Sequence, residues 1–180
     1  DGRPDVVTGA NWATSNGVEY AGTASVVFGK TSAAPVDLGA LGADGFQIHG
    51  AVDRGRVGWA VTGAGDVNDD GRADVFLGAP FEGRNGRTDS GSAYIVFGKA
   101  STTPIDLAQL GTGGYRFDGA MTNSETGKAL AGGSDLTGDG LSDVVISAAH
   151  ARPVDDLKGS DYVFGFGQPR LAYTPLQAVV

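Results

Sequence analysis

Hydrophobic positions along the chain come in short bursts rather than helical stripes. In the middle of the sequence the runs 59–62, 74–78, 93–97 and 115–118 are apolar, rich in β-branched and aromatic residues, and bounded by Gly, Asp or Pro. That pattern predicts strands. None of the runs shows the 3.6-residue period of an amphipathic helix. The stretch 104–110, with its copy 35–41, is the one connection compatible with a helical turn, Pro occupying the first position where its missing N–H is harmless.

The bursts repeat. VVFGK at 26–30 returns as IVFGK at 95–99, and PVDL at 35–38 returns as PIDL at 104–107, each after 69 residues. DGRPD at 1–5 returns as DGRAD at 70–74 and as DGLSD at 139–143, at the same spacing. Units 1–69 and 70–138 align without a gap, and roughly two-fifths of the aligned positions are identical. A third copy, 139–167, decays after GSDYVFG, and 168–180 leaves the repeat as a linker or the start of a further domain. Four short antiparallel strands at a fixed period of this length describe a β-propeller blade. The expected architecture is all-β, with residues 1–167 forming about two and a half four-stranded antiparallel blades, some ten strands in all.

Composition agrees and narrows the field. Glycine supplies 31 of 180 residues, which disfavours helix because an interior glycine costs about 1 kcal/mol relative to alanine. Hydrophobic residues at 41% are sufficient for a core. The absence of cysteine excludes disulfide frameworks, zinc ribbons and thiol catalysis. A net charge of −8 argues against nucleic acid as a partner. No apolar run has the ~20 residues of a membrane span, and no leader opens the sequence. The repeat itself predicts a slice of something larger.

Most of the chemistry lies in Asp66-Val-Asn68-Asp-Asp70-Gly71-Arg72-Ala-Asp74, where oxygen side chains recur at positions 1, 3, 5 and 9 with glycine at 6. Calcium takes about six to eight hard oxygen ligands, and alternate residues of a tight loop can face one centre. The Arg72 carbonyl would supply position 7. The second copy is Asp135, Thr137, Asp139, the Leu141 carbonyl and Asp143. Its neutral hydroxyl at Thr137 predicts weaker binding. The first copy keeps Asp1 and Asp5, its earlier positions lying before residue 1, and is expected to be empty. An EF-hand would need Glu at position 12, where Leu77 and Ile146 stand.

The run GAGDVNDDGRADVFLGAP (63–80), followed by GSAYIVFG (91–98), resembles the FG-GAP repeat. That resemblance implies seven-bladed propellers of the kind found in integrin α subunits and in bacterial surface and secreted proteins. It implies calcium ligation by Asp66, Asn68, Asp70, Arg72 and Asp74, and by Asp135, Thr137, Asp139, Leu141 and Asp143. It also implies an extracellular or cell-surface location. The middle unit matches fully. The first has Gly9-Ala10-Asn11 in place of GAP and the third Ser147-Ala148-Ala149, which weakens the turn after the second strand.

In an up-and-down blade the cation loop shares its face with the 99–114 connection. The other face carries 11–21, 51–57, 80–90 and 120–125, where the copies diverge most. Function is often carried on such loops. In integrin-like propellers the ligand binds opposite the calcium loops, so a protein or glycan partner is expected there, with Trp12, Tyr20 and Phe81 as contact aromatics and Trp59 assigned to the core. The remaining blades of the propeller are the other partners. Catalysis has little support: His49 and His150 fall at unrelated repeat positions, and no G-x-S-x-G elbow is present. The expectation is a non-enzymatic adhesion segment. The alternative is an accessory propeller of a secreted hydrolase or phospholipase whose catalytic domain lies elsewhere.

Overall fold

The computed structural model describes residues 2–151 together with the backbone of Ser160–Phe164 and Thr174–Pro175. Asp1 and most of 152–180, including nearly all of 168–180, lie outside the described residues. The strands are β1 (Val6–Ala10), β2 (Thr23–Val27), β3 (Gly45–His49), β4 (Ala60–Gly65), β5 (Asp74–Ala79), β6 (Ser92–Val96), β7 (Ile105–Asp106), β8 (Gly114–Asp118), β9 (Thr126–Ser134), β10 (Asp143–Ala148), β11 (Ser160–Phe164) and β12 (Thr174–Pro175). They form three four-stranded sheets in the orders β1-β2-β3-β7, β4-β5-β6-β8 and β12-β11-β10-β9. The chain is an all-β partial propeller.

The middle sheet is a complete blade lying wholly within the described residues. Its strands pair antiparallel throughout, with Leu77 opposite Tyr94 and Ala93 opposite Phe117. Strict alternation serves two cores at once. Val75, Leu77, Ala79, Tyr94 and Val96 face the first sheet and meet Ala24, Val26, Phe46 and Ile48. Phe76, Ala93 and Ile95 face the third and meet Val144 and Ile146. A strand covered on both faces has no solvated side, which is why β5 and β6 read as continuous apolar bursts.

Close approach between blades falls on glycines. A Cβ on Gly78, the first residue of the GAP triplet, would stand 1.9 Å from the Gly127 carbonyl oxygen, and one on Gly9 would stand 2.0 Å from that of Gly58. The third unit has Ser147 here, and its hydroxyl instead accepts the Ala129 N–H at 3.0 Å.

The first sheet departs from expectation. Its first three strands align with β5, β6 and β8, because Val6 stands at the repeat position of Val75. Its fourth, β7, comes from the second unit and pairs parallel with β3, Ile48 opposite Ile105. The stretch 104–110 is thus a short strand followed by a 3-10 turn at Leu107–Gln109, begun by the Asp106 carboxylate accepting the Ala108 N–H at 2.8 Å. Pro104 stays outside the turn. In the first unit the 3-10 turn is displaced to Gly42–Asp44.

Candidate metal centre

The loop between β4 and β5 is a string of side-chain caps on its own backbone. Asp66 accepts N–H groups from Asp70 (3.1 Å) and Gly71 (2.8 Å). Asn68 Oδ1 accepts the same Asp70 N–H at 3.1 Å, while Asn68 Nδ2 donates to Asp70 Oδ2 at 3.1 Å. Asp70 Oδ1 accepts from Arg72 N–H at 2.9 Å. Left-handed backbone at Asp69 (φ 58°) and Gly71 (φ 81°) turns the chain so that positions 1, 3 and 5 sit together on its exposed side. Asp135 in the second loop does the same for Gly138, Asp139 and Gly140, and Asp139 for Leu141.

Position 9 behaves differently. Asp74 is buried, with Oδ2 accepting from Val67 N–H (2.9 Å) and Oδ1 from Gly98 N–H (2.8 Å). Burial pushes its pKa up, the N–H groups of Gly98 and Val67 oppose the rise, and the charges of Asp70 and Asp66 add to it. Asp143, its counterpart, accepts Leu136 and Thr137 N–H groups on Oδ2, at 2.6 and 2.8 Å. Among the described residues its Oδ1 is buried without a partner. The glycine in register with Gly98, Gly167, lies outside the described residues.

No three His, Cys, Asp or Glu side chains converge as a metal cluster among the described residues. The donor set nevertheless fits a hard cation. Asp66 Oδ1 and Asn68 Oδ1 both accept the Asp70 N–H, the charges of Asp70 and Asp66 both push the Asp74 pKa up, and among the described residues Asp143 Oδ1 is buried without a hydrogen-bond partner. Asp5, the described remnant of the first loop, accepts Gly29 N–H at 2.8 Å.

On the opposite face, the diverged loops keep one backbone. Left-handed φ recurs after 69 residues at Asn16 and Asn85 (49° and 52°), Tyr20 and Asp89 (48° and 46°), Arg54 and Asn123 (57° and 57°), and Arg56 and Glu125 (59° and 51°). Asn16-Gly17 and Asn85-Gly86, both left-handed, form the tight turns that such pairs predict. Hydrogen bonds repeat too: Arg56 N–H to Tyr20 O (3.1 Å) matches Glu125 N–H to Asp89 O (3.2 Å).

These loops gather side chains that are far apart in sequence. The Arg56 guanidinium lies 3.9 Å from the Trp12 ring centre, 4.7 Å from Phe81 and 5.9 Å from Trp59. Trp12 packs edge-on to Tyr20, and Trp59 edge-on to Phe81. Trp59 is 37% exposed and belongs to this cluster rather than the core, because the strand it was assigned to begins one residue later. At the next junction Glu125 takes the place of Arg56 and pairs with Lys128 and, at 3.1 Å, with His150. Nothing in the local sequence marks Arg56 or Trp59 as a residue that meets a neighbouring blade. Behind the cluster, buried Glu82 accepts the Tyr94 hydroxyl at 2.5 Å and pairs with Arg84 at 3.3 Å. His49 hydrogen-bonds Ser15 through Nδ1 at 3.1 Å.

Blades packed face to face, with an acidic loop at one end and a retained loop scaffold at the other, define a β-propeller repeat array. The FG-GAP repeat model matches residues 57–96. Integrin alpha pat-2 of Caenorhabditis briggsae is 30% identical over 82% of this chain and 12% of its own length. Phosphatidylinositol-glycan-specific phospholipase D of Mus musculus is 36% identical over 69% of this chain and 15% of its own length. Integrin alpha-M of Mus musculus is 39% identical over 52% of this chain and 8% of its own. The chain therefore spans a small fraction, 15% or less, of these relatives. It belongs to the FG-GAP repeat family, in its integrin alpha-like form.

Proposed function

We propose that the chain is a non-catalytic, calcium-binding β-propeller segment of an extracellular or cell-surface adhesion or ligand-binding protein of the integrin alpha kind. The observation that carries this reading is the oxygen-rich loop built twice at one spacing, with its carboxylates crowded on an exposed turn. Asp66, Asn68, Asp70, Asp74 and the Arg72 carbonyl would hold one ion. Asp135, Thr137, Asp139, Asp143 and the Leu141 carbonyl would hold a second, weaker one. Bound calcium would neutralise the mutual repulsion of each set and tie the first strand of a blade to the second. Affinities of about 10⁻⁴–10⁻³ M suit the millimolar calcium outside cells. Further repeats of this type would complete a seven-bladed propeller.

Support for ligand binding comes from the face opposite the cation loops. Loops whose side chains change while their backbone is retained are suited to displaying different contacts on one scaffold. The cluster of exposed Trp12, Tyr20 and Trp59 with half-buried Phe81 around Arg56 is the place on that face where a protein or glycan would dock. A second reading has its own support: phospholipase D relatives at 34–36% identity favour an accessory propeller of a secreted hydrolase.

Calorimetric titration of CaCl₂ into chelator-treated protein is expected to show two sites in the millimolar range or tighter. Asp70→Ala should remove the stronger and Asp139→Ala the weaker. Absence of binding at about 10 mM calcium would rule out the cation centre.

A further inference from the structure

The two PxDL segments have the same local chemistry and different surroundings. In the second unit, Ile105–Asp106 adds to the outer edge of β3, and Leu107 closes the core between the first two sheets at 2% exposure. Ile105 and Leu110 pack against that core, and the Lys99 ammonium lies 4.5 Å from the Phe46 ring centre. The segment therefore straps its own blade to the preceding one.

In the first unit, Pro35, Val36, Asp37 and Leu38 stand at the repeat positions of Pro104, Ile105, Asp106 and Leu107. The turn-starting contact is already made: Asp37 Oδ1 accepts the Gly39 N–H at 2.9 Å, as Asp106 Oδ1 accepts that of Ala108 at 2.8 Å. Gln47 Nε2 holds the Leu38 carbonyl at 2.8 Å. Yet Leu38 is 44% exposed. On β1, Val6 is 61% exposed where its counterpart Val75 is 8%.

We propose that residues 35–41 are a strap which adds, as a parallel strand, to the outer edge of another blade of this repeat type seated on the Val6 face of the first sheet. The inference rests on the propeller reading above and names how the next blade is gripped. The occupant is set by continuity: the same segment, 69 residues later, grips a blade of the same kind through β3. The receiving edge carries an aliphatic or aromatic residue where β3 has Ile48 and β8 has Phe117. It carries an aromatic ring where β3 has Phe46, to take Lys30 as Phe46 takes Lys99.

The test fuses a copy of residues 70–138 ahead of residue 1 of the full chain, and reads amide hydrogen exchange residue by residue. Protection at Val36 to Leu38 is expected to rise about tenfold or more, toward that of Ile105 to Leu107. Leu38→Asp in the fused protein should abolish the gain and leave 105–107 unchanged. If the free edge of β1 becomes protected, the fused copy having paired with it as β4 pairs with β5, while 36–38 does not, the strap is overturned. If neither changes, the propeller reading fails with it. Protection of 36–38 that appears in the unfused chain and grows with its concentration would assign the strap to a second copy, and overturn the occupant proposed.

Discussion

The Asp74 carboxylate accepts the backbone N–H of Gly98 at 2.8 Å, and Asp5 accepts that of Gly29 at the same distance one repeat earlier. The last aspartate of the acidic loop is thus joined to the glycine of the FG pair, across the hairpin formed by two successive strands. A Cβ at position 98 would stand 2.3 Å from the Ala73 carbonyl oxygen, so the donor must be glycine. Two motifs that look separate in the sequence are halves of one contact.

Asp74→Ala leaves the N–H groups of Val67 and Gly98 without acceptors. Each stranded buried donor costs about 1–3 kcal/mol. A loss of roughly 2–5 kcal/mol is therefore expected in urea unfolding, while Asp5→Ala, on an exposed bond, is expected to cost under about 1 kcal/mol. Equal losses at the two positions would argue against the latch.

Leu107→Ala should cost about 2–5 kcal/mol, because it opens a cavity in a fully formed core. Leu38→Ala should fall within about 0.5 kcal/mol of the parent, since the side chain is half exposed and borders no second sheet. Denaturant midpoints of the two variants measure the difference directly.

Tyr94 gives a pH signature. Burial raises its phenol pKa, with the adjacent Glu82 charge and its hydrogen bond acting in the same direction and Arg84 opposing them. Below the ordinary value of 10.0 both folded and unfolded chains hold the proton, and the contribution to stability is fully present. As pH rises past that value only the unfolded chain releases it, so stability falls. Tyrosinate absorbance from Tyr94 should appear together with unfolding, and Tyr94→Phe should remove that late step while costing about 1–3 kcal/mol for the lost bond to Glu82.

The two cation loops should differ in strength through their third position. Thr137→Asp is expected to tighten the weaker calcium site by about tenfold or less, one added carboxylate being worth on the order of 1 kcal/mol at an exposed loop. Calorimetry on the Asp70→Ala background isolates that site.

Strand content was legible because each run is both short and apolar. The expected 74–78, 93–97 and 115–118 fall within a residue of β5, β6 and β8. Asn-Gly marked its turns for the same local reason. What escaped was every contact that leaves the unit. Ile105–Asp106 has no strand signal of its own, and its partner lies in another blade. Arg56, Trp59, Trp12 and Phe81 meet only once two blades pack. Spacing singled out the oxygens of positions 1, 3, 5 and 9 as one candidate set. It could not show that Asp74 is buried on two backbone donors while Asp66 and Asp70 stay at the surface.

The middle sheet is roofed on both sides, whereas the first has Val6 and Leu38 facing solvent. Repeat arrays whose members touch only their neighbours lose order one member at a time, from whichever end has the fewest neighbours. Cooperativity here is accordingly graded along the chain, and its last surviving unit should be residues 57–118, the stretch that holds all four strands of the middle sheet.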